Sequence, residues 1–358
     1  MSTCTTVPTR LAGSDDLEQI GRLLPLVAGP QFPERYPGRT VTEFCHWKYF
    51  TNPAGEAAVG VAVDGAKIVS LAAGVPKRVK LGDDTVIAYE LGDFITDPAY
   101  RKRGLFSAVI NLVCEEAARR GAAFAYVRPN ESSFRILTPG LNFIEARKID
   151  ERRYFVPSSL VHRKTGWPAS LPRALGLDWL ARESLLPSRP ASVKVERATR
   201  FGAENDILWQ SAREQYAFTL SRDTSYMNWR YVDGPTPYQI WVARRDAHPV
   251  GYVVTFASPS EPIAYVIDLF TLPQDSDAAS ALLRTAVDSL LADDVQVVYT
   301  WTVQSSASSA GHRLLKRACA APVRPHLHLA IRFLSDRLDA SRLPADGWQL
   351  TAGDFDGI

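Results

Sequence analysis

The sequence has few of the features that mark secreted, zinc-binding or membrane-embedded proteins. Its four cysteines, Cys4, Cys45, Cys114 and Cys319, are scattered over 358 residues without a Cys-x-x-Cys pair or a Cys/His ligand spacing. We therefore expect neither disulfides nor a metal site. No apolar run approaches the length of a membrane helix, and the N-terminus shows no signal-peptide core. These absences predict a cytoplasmic protein without a membrane partner.

An imbalance of charge is also lacking. The 41 basic and 39 acidic residues leave a net charge of +2, which gives no global reason to expect nucleic acid as a partner. Hydrophobic residues make up 46% and charged residues 22%, as in ordinary globular proteins, and 358 residues favour two domains over one core. Only nine of the basic residues are lysine, a bias typical of GC-rich bacterial genomes. We expect a monomer or a homodimer.

The most informative stretch, residues 88–121, combines a strand, a basic turn and a helix. Ile87–Thr96 is apolar and β-branched enough for a buried strand, and Gly92 inside it predicts a bulge. Pro98 then ends the strand, because proline lacks the N–H that a strand needs. Over residues 105–120 the apolar side chains recur with the spacing of one helix face. The unit is therefore predicted as strand, loop and helix.

The turn inside this unit predicts an anion site. It consists of Arg101, Lys102, Arg103, Gly104, Leu105 and Phe106. A short basic loop with a glycine, followed by a helix N-terminus, directs unpaired backbone N–H groups and a positive dipole at one point. A diphosphate fits such a point. The alternative is a basic surface turn before an ordinary helix.

This turn resembles the pyrophosphate loop of the GNAT acyltransferase superfamily, whose pattern is Arg/Gln-x-x-Gly-x-Gly/Ala after a bulged strand. Arg101, Gly104 and Phe106 occupy the three positions, with Phe in place of the usual small residue. Variants with Phe there resemble members that act on sugars and secondary metabolites. The resemblance implies an α/β fold with a mixed central sheet flanked by helices. It also implies acetyl-CoA or another acyl-CoA as cofactor, held by residues 101–106.

Elements around this unit are predicted from turns and periodicity. Asp64-Gly65 is a hairpin turn between two apolar strands. A closing pair of strands is predicted over Phe143–Val156. The prolines of 157–190 surround one amphipathic helix, Ala174–Leu186, and indicate a connection between domains.

After this connection the pattern of the first half begins again. Met227–Tyr231 repeats Cys45–Tyr49, and Ile263–Thr271 repeats Ile87–Thr96 with Gly92 as a one-residue excess. Self-similarity of this kind indicates two copies of one αβ unit, here two tandem GNAT-like domains. The predicted divisions are 1–156 for the acyl-CoA domain, 157–191 for the connection, 192–336 for a degenerate GNAT-like domain on the acceptor side and 337–358 for a C-terminal tail.

The two copies differ at the phosphate loop. Where the first has its basic turn, the second has Gln274–Ala278, which contains two aspartates and neither Arg nor Gly. Carboxylates at a helix N-terminus favour the dipole but would repel a diphosphate. We therefore predict one cofactor per chain.

Candidate catalytic groups lie in the bulged strand. The resemblance implies that an N–H of Phe94, Ile95 or Thr96 donates to the oxyanion. Glu90 and Asp93 are the candidate bases, because a bulge at Gly92 would turn both towards the cleft, and a buried carboxylate is costly unless used or paired. Glu90 is preferred, since it matches Val266 in the second copy, whereas Asp93 matches Asp268. A third candidate is His46, which could hold or deprotonate an amine.

Binding groups are predicted beside them. By resemblance, Asn130 at the end of the next strand contacts the pantetheine or acyl region. Ser133, three residues later, is a further candidate for binding the cofactor. In the family, a tyrosine seven residues after that Asn commonly protonates the leaving thiolate. Here this position is Leu137, which leaves Tyr126, Tyr89 or solvent as alternative general acids. The candidate acceptor-binding residues are Asp268, Trp47 and Tyr89.

The function predicted is transfer of an acyl group from acyl-CoA to an amine of a small molecule, for example an amino sugar or an antibiotic precursor. Two alternatives stay open. The first is a protein or peptide N-acetyltransferase, which the near-neutral charge does not favour. The second, of another class, is a non-catalytic acyl-CoA sensor, which the carboxylates of the central strand argue against.

Overall fold

The computed structural model describes residues 7–28, 40–185, 190–292, 295–303, 309–319, 321–323 and 327–356. This part of the chain forms one mixed sheet flanked by helices, which confirms the predicted fold class. None of its helices is long and apolar enough to span a membrane. Cys4 lies outside the described residues, and the other three cysteines are buried free thiols.

The first half and the connection contain six strands and eight helices among the described residues. The strands are β1 (Thr9–Leu11), β2 (Ala58–Asp64), β3 (Lys67–Leu81), β4 (Asp84–Thr96), β5 (Phe124–Val127) and β6 (Ile144–Phe155). The helices are α1 (Leu17–Leu23), α2 (Pro25–Ala28), α3 (Val41–Phe50), α4 (Leu105–Arg119), α5 (Glu131–Gly140), α6 (Pro157–Thr165), α7 (Ser170–Ala174) and α8 (Leu177–Leu185).

The described part of the second half contains nine strands and four helices. The strands are β7 (Lys194–Ala198), β8 (Phe218–Leu220), β9 (Gln239–Arg245), β10 (His248–Ala257), β11 (Ile263–Thr271), β12 (Val297–Val303), β13 (Ala321–Pro322), β14 (Leu327–Phe333) and β15 (Trp348–Gln349). The helices are α9 (Glu204–Arg213), α10 (Thr224–Tyr231), α11 (Ser276–Ala292) and α12 (Ala310–Ala318).

Local predictions hold within a few residues, with three differences. The first hairpin turns at Gly65-Ala66, one residue later than predicted, because Asp64 pairs with Lys67. The strand pair predicted over Phe143–Val156 is wrong, since β6 is a single strand. The connection contains three helices where one was predicted, and Leu186, the end of that predicted helix, lies outside the described residues.

The halves share one sheet because they exchange strands. The main strand order is β1-β2-β3-β4-β5-β14-β6-β12-β11-β10-β9-β7. Thus β14, from the second half, lies between β5 and β6 of the first. In the same manner β6 lies between β12 and β13 of the second half. Each half is therefore completed by a strand from the other.

Helix α4 packs closely on the first half of the sheet because two positions there lack side chains. A Cβ on Gly60 would lie 2.8 Å from the carbonyl oxygen of Val109, and a Cβ on Gly74 would lie 2.7 Å from Val113 Cγ1. The core on this face contains Tyr89 and Leu91 from β4. The opposite face of β4 is therefore left for the second half and the C-terminal residues.

The C-terminal segment, residues 348–356, is not a peripheral tail as the sequence predicted. Strand β15 pairs in parallel with β8, and β8 pairs with β3. Phe355 is 2% exposed and packs against Tyr126 and Trp301. The segment thus fills the space between the halves and ends beside β4.

Candidate active site

A cleft opens where β4 and β5 separate. The two strands pair in parallel only where residues 88–90 of β4 lie opposite residues 124–126 of β5. Beyond this pairing the strands enclose a cavity of about 290 Å³. Its lining is Lys48, Glu90, Leu91, Gly92, Asp93, Phe94, Val127, Arg128, Pro129, Asn130, Ser133, Phe355 and Asp356.

The predicted bulge in β4 is present and has the predicted consequence. Gly92 pairs with Ala73 and Ile95 with Leu71, so two residues of β4 face one residue of β3. The φ angle of +53° falls on Asp93. The bulge shifts the alternation of the strand. Glu90 and Asp93 therefore both line the cleft, as expected from the sequence.

Glu90 lies in a buried, densely charged environment. Its Oε1 accepts a hydrogen bond from the backbone N–H of Asp356 at 2.7 Å, and its Oε2 lies 3.3 Å from Lys77 Nζ. Burial, together with the nearby charge of Asp356, raises the pKa of Glu90 to about 7, against the opposing charge of Lys77. A carboxylate that titrates near neutral pH suits a general base.

Asp93 is held more firmly than Glu90. Lys48 Nζ lies 2.8 Å from Asp93 Oδ2, and the Tyr49 hydroxyl donates to the same oxygen at 2.7 Å. In the second copy the Tyr231 hydroxyl donates to Asp268 at 3.3 Å. A tyrosine–aspartate contact that recurs in both copies indicates a structural role for Asp93.

Asp356 binds two buried lysines. Its Oδ1 lies 3.3 Å from Lys77 Nζ, and its Oδ2 lies 3.6 Å from Lys48 Nζ. Although burial acts to raise it, the pKa of Asp356 is held far below its ordinary value by these two cations. The charged form of Lys77 is stabilised in turn. Burial acts to lower the pKa of Lys77, but the charges of Asp356 and Glu90 raise it overall.

The predicted phosphate loop has the geometry of an anion site. Gly104 stands at the N-terminal cap of α4 with φ +76°, a left-handed conformation that glycine adopts without strain. Arg101, Lys102 and Arg103 are exposed beside it. The Phe106 ring turns away from the loop and contacts the Phe94 ring edge-on, 5.4 Å between centroids.

The corresponding loop of the second copy is blocked by an aspartate. Asp275 accepts a hydrogen bond from the N–H of Ala278 at 3.0 Å, in the first turn of α11. Arg245 pairs with the same carboxylate at 3.1 Å. The carboxylate thus occupies the position at the helix terminus that a phosphate would need.

The other predicted cofactor residues are divided between cleft and core. Asn130 caps α5 by accepting from the N–H of Ser133 at 2.9 Å, and both residues line the cleft. Ile95 is buried in the core, and the Thr96 hydroxyl contacts that of Ser70 at 2.8 Å. Leu137, at the position where the family commonly has the tyrosine general acid, is fully buried.

Three residues predicted near the acceptor lie away from this cleft. Tyr89 packs on the α4 face of the sheet. His46 is exposed and lines a different cavity, of about 470 Å³, together with Trp47. The Trp47 and Trp229 rings stack at 4.9 Å, and each indole N–H points to the other residue's carbonyl oxygen, at 2.9 and 3.4 Å. This tryptophan pair joins α3 to α10 across the two halves.

Asp268 is enclosed rather than open to a substrate. It is 1% exposed and does not line the cleft at Glu90. Its oxygens contact Arg222 at 3.4 Å, the Tyr252 hydroxyl at 3.0 Å and the Thr351 hydroxyl at 3.0 Å. It therefore belongs to a buried polar network that includes the C-terminal segment.

Sequence reasoning missed four charged residues around Glu90: Lys48, Arg128 and Asp356, which line the cleft, and Lys77, which is buried beside Glu90. Lys77 stands in an apolar strand, where an ionisable side chain without a nearby partner is a signal that a charge is paired through the fold. Nothing in the local pattern around Asp356 links it to β4. Its contact with Glu90 joins positions 266 residues apart.

Comparison with known proteins bears out the family resemblance. Residues 9–137 match the family profile described as an acetyltransferase (GNAT) domain. This part of the chain is a GNAT domain. No curated protein sequence matches the chain. Within the described residues of the chain, no group of three or more His, Cys, Asp or Glu side chains could hold a metal ion.

Solved structures show the same fold over nearly the whole chain. N-myristoyltransferase from Saccharomyces cerevisiae with bound myristoyl-CoA has 12% identity and a TM-score of 0.62, covering 98% of this chain and 90% of its own. A probable N-acyltransferase from Enterococcus faecalis has 12% identity and a TM-score of 0.64, over 91% and 72%. A GCN5-related N-acetyltransferase from Anabaena variabilis has 14% identity and a TM-score of 0.59, covering 92% of this chain and 73% of its own.

The site in this GNAT domain fits an acyl-CoA. The left-handed Gly104 leaves the N-terminus of α4 open, and a Cβ built on it would meet no atom within 4 Å. The same holds at Gly92 in the wall of the cleft. Residues 101–106 thus leave room for a diphosphate, and the gap beyond Glu90 leaves room for an acyl group. The match to a GNAT domain supports acyl-CoA binding but does not identify the acyl group.

Proposed function

We propose that the protein transfers an acyl group from acyl-CoA to the amine of a small molecule, with Glu90 as the general base. The observation that carries the proposal is the position of Glu90: it lines the cleft where β4 and β5 separate, and its pKa is raised to about 7. At neutral pH a large fraction of Glu90 is ionised and can accept the amine proton.

The remaining groups orient and polarise. Beyond Glu90, strand β4 has no ladder partner on the β5 side, so the backbone of 94–96 is available to donate to the thioester oxygen. The amine nitrogen bonds to the carbonyl carbon, its proton passes to Glu90 and the C–S bond breaks. A thiol of ordinary pKa, ~8.5, leaves as thiolate without a dedicated acid, which is consistent with Leu137 at the usual place of that acid.

Glu90→Gln tests the proposal. We expect kcat/KM to fall by roughly 10²–10⁴, the usual contribution of a general base, because the amide cannot accept the proton. CoA affinity by calorimetry should change little, since the phosphate loop is intact. Glu145→Gln, an isosteric change on β6 outside the cleft, is the matched control and should retain wild-type rates.

The acceptor class is tested by mass spectrometry of acyl transfer. The protein is incubated with acetyl-CoA or longer acyl-CoAs and with small amines, amino sugars or peptides. Acylation of small amines supports the proposal. Preferential acylation of peptides would make it a peptide acyltransferase, and tight acyl-CoA binding without any transfer would make it a binding module. Undiminished activity of Glu90→Gln would move the base to Asp93, the other carboxylate of β4 in the cleft.

A further inference from the structure

The cleft cation Arg128 has no carboxylate partner among the residues that the structure describes, and its buried Nε has no hydrogen-bond acceptor there. This residue follows β5 directly and lines the cavity with Glu90. Its guanidinium stacks on the ring of Trp301, 4.5 Å from the centroid. The indole N–H of Trp301 donates to Glu151 at 3.0 Å, so the ring is fixed in place. The guanidinium is therefore held in place by stacking on a fixed ring.

No carboxylate among the described residues comes within ion-pairing distance of Arg128, and its Nε is shielded from solvent without an acceptor. The nearest acidic groups are Glu90 and Glu151, and both are engaged elsewhere. Burial lowers the pKa of Arg128 accordingly. The other cleft cation, Lys48, and the buried Lys77 beside Glu90 each have carboxylate partners. A half-buried guanidinium without an anion is costly, so an anion is expected to come from outside.

The face of the sheet indicates which substrate supplies that anion. Arg128 lies two residues beyond Tyr126 and therefore on the same face. Tyr126 packs against Phe355 of the C-terminal segment, and its hydroxyl donates to the Asp354 carbonyl at 3.3 Å. Helix α4, with the phosphate loop, covers the opposite face. Under the proposed function the acyl donor binds at the phosphate loop, on the α4 side, and the molecule that meets Arg128 on the opposite face is then the acceptor.

We propose that Arg128 binds a carboxylate of the acceptor, and that the acceptor is accordingly an amino acid or another small amine that carries a carboxylate. This inference rests on the proposed function. Glu90 pairs with Tyr126 on the neighbouring strand, ~5 Å away, and Arg128 lies ~7 Å further along. An amine at Glu90 and a carboxylate at Arg128 are then separated by only a few bonds, as in α- and β-amino acids.

The test compares amino acids with their carboxamides. Calorimetry on the CoA-saturated protein measures binding, and mass spectrometry with acetyl-CoA measures transfer. We expect the wild type to prefer acids over amides by roughly 10- to 100-fold, as for a hydrogen-bonded charge pair. Arg128→Met keeps the apolar stem and should reduce that preference to about one, with CoA binding unchanged. Arg147→Met, which removes another guanidinium stacked on a tryptophan, is the control and should keep the preference.

The outcomes separate the inference from the function beneath it. Equal handling of acids and amides by the wild type, or an acid preference that survives Arg128→Met, overturns the inference. The inference is also overturned if the wild type binds neither the amino acids nor their carboxamides. It is overturned as well if activity depends on Arg128 only when the acyl donor itself carries a carboxylate, as succinyl-CoA does. Arg128-dependent binding of acids without acyl transfer would support the carboxylate site and refute the proposed acyltransferase function.

Discussion

Glu90 is surrounded by charges from four elements, and its ionisation decides the pH dependence of the reaction. Lys77 faces it from β3, Lys48 from α3 and Asp356 from the C-terminal segment, while Arg128 lies at the end of β5. Because the base must be deprotonated, kcat/KM should rise with pH to a plateau, with a midpoint near the pKa of about 7. The limb should vanish in Glu90→Gln.

The same shift affects stability with the opposite sign. Because the pKa of Glu90 is raised in the folded protein, the native state keeps a proton that the unfolded chain has already lost. This residue's contribution to the free energy of unfolding therefore decreases as the pH rises from the ordinary value of 4.5 to about 7. The pH that activates the base is thus the pH at which its burial costs most.

Asp356 is expected to set the position of the activity limb. Asp356→Asn removes the negative charge that raises the pKa of Glu90. Lys77 and Lys48 then keep only Glu90 and Asp93 as carboxylate partners. We expect the midpoint of kcat/KM against pH to move to lower pH. If the substitution lowers only the amount of folded enzyme and the midpoint stays, Asp356 is a structural residue. Asp84→Asn, an exposed change on β4, serves as control.

At the scale of elements, the two phosphate loops differ in their consequences for binding. The loop at Gly104 is open, whereas the N-terminus of α11 is closed by Asp275. Calorimetry should therefore find one CoA per chain, and Gly104→Glu should abolish binding, because a side chain strains the left-handed position and its carboxylate repels the diphosphate. Two equivalent sites would contradict this account of the second copy.

The elements that were predicted best are those whose signal is local. Strand β11 was predicted residue for residue, since its apolar run and its bounding turns lie next to one another in the chain. Cys45–Tyr49 and Met227–Tyr231, which sequence reasoning matched as a repeat, both lie on helices, and the structure adds that Trp47 and Trp229 stack. Pairing between distant strands has no such local signal. The exchange of β6 and β14, and the burial of the C-terminal segment, were therefore not predictable from periodicity.

In the site, sequence reasoning found the groups on the motif strand and missed those delivered by other elements. Glu90, Asp93 and Asn130 could be assigned because the bulge and the loop follow each other in sequence. Arg128 is only two residues before Asn130, but its lack of a partner is a property of the fold. The same limit explains Asp268, whose match with Asp93 was visible, while its enclosure by Arg222 was not.

At the scale of the whole molecule, Asp268 joins the second half to the C-terminal segment. Sequence reasoning named Asp268 as a candidate acceptor-binding residue, and in that role Asp268→Asn would raise the acceptor KM. With Asp268 enclosed by Arg222, Tyr252 and Thr351, we now expect mainly a lower free energy of unfolding, because a buried guanidinium loses one of its two carboxylates. Urea unfolding and steady-state kinetics of the folded fraction measure the two effects. A raised KM with unchanged stability would return Asp268 to the acceptor site.

The exchanged strands have a consequence for how the protein is made. On the ribosome β5 emerges about 200 residues before β14, its partner in the sheet. At typical rates of synthesis this leaves β5 and β6 with unsatisfied edges for ~10–40 s. Exposed edges of this kind invite pairing with other nascent chains. The first half, although it carries the motif that identifies the protein, is therefore expected to depend on chaperones until translation has passed Phe333.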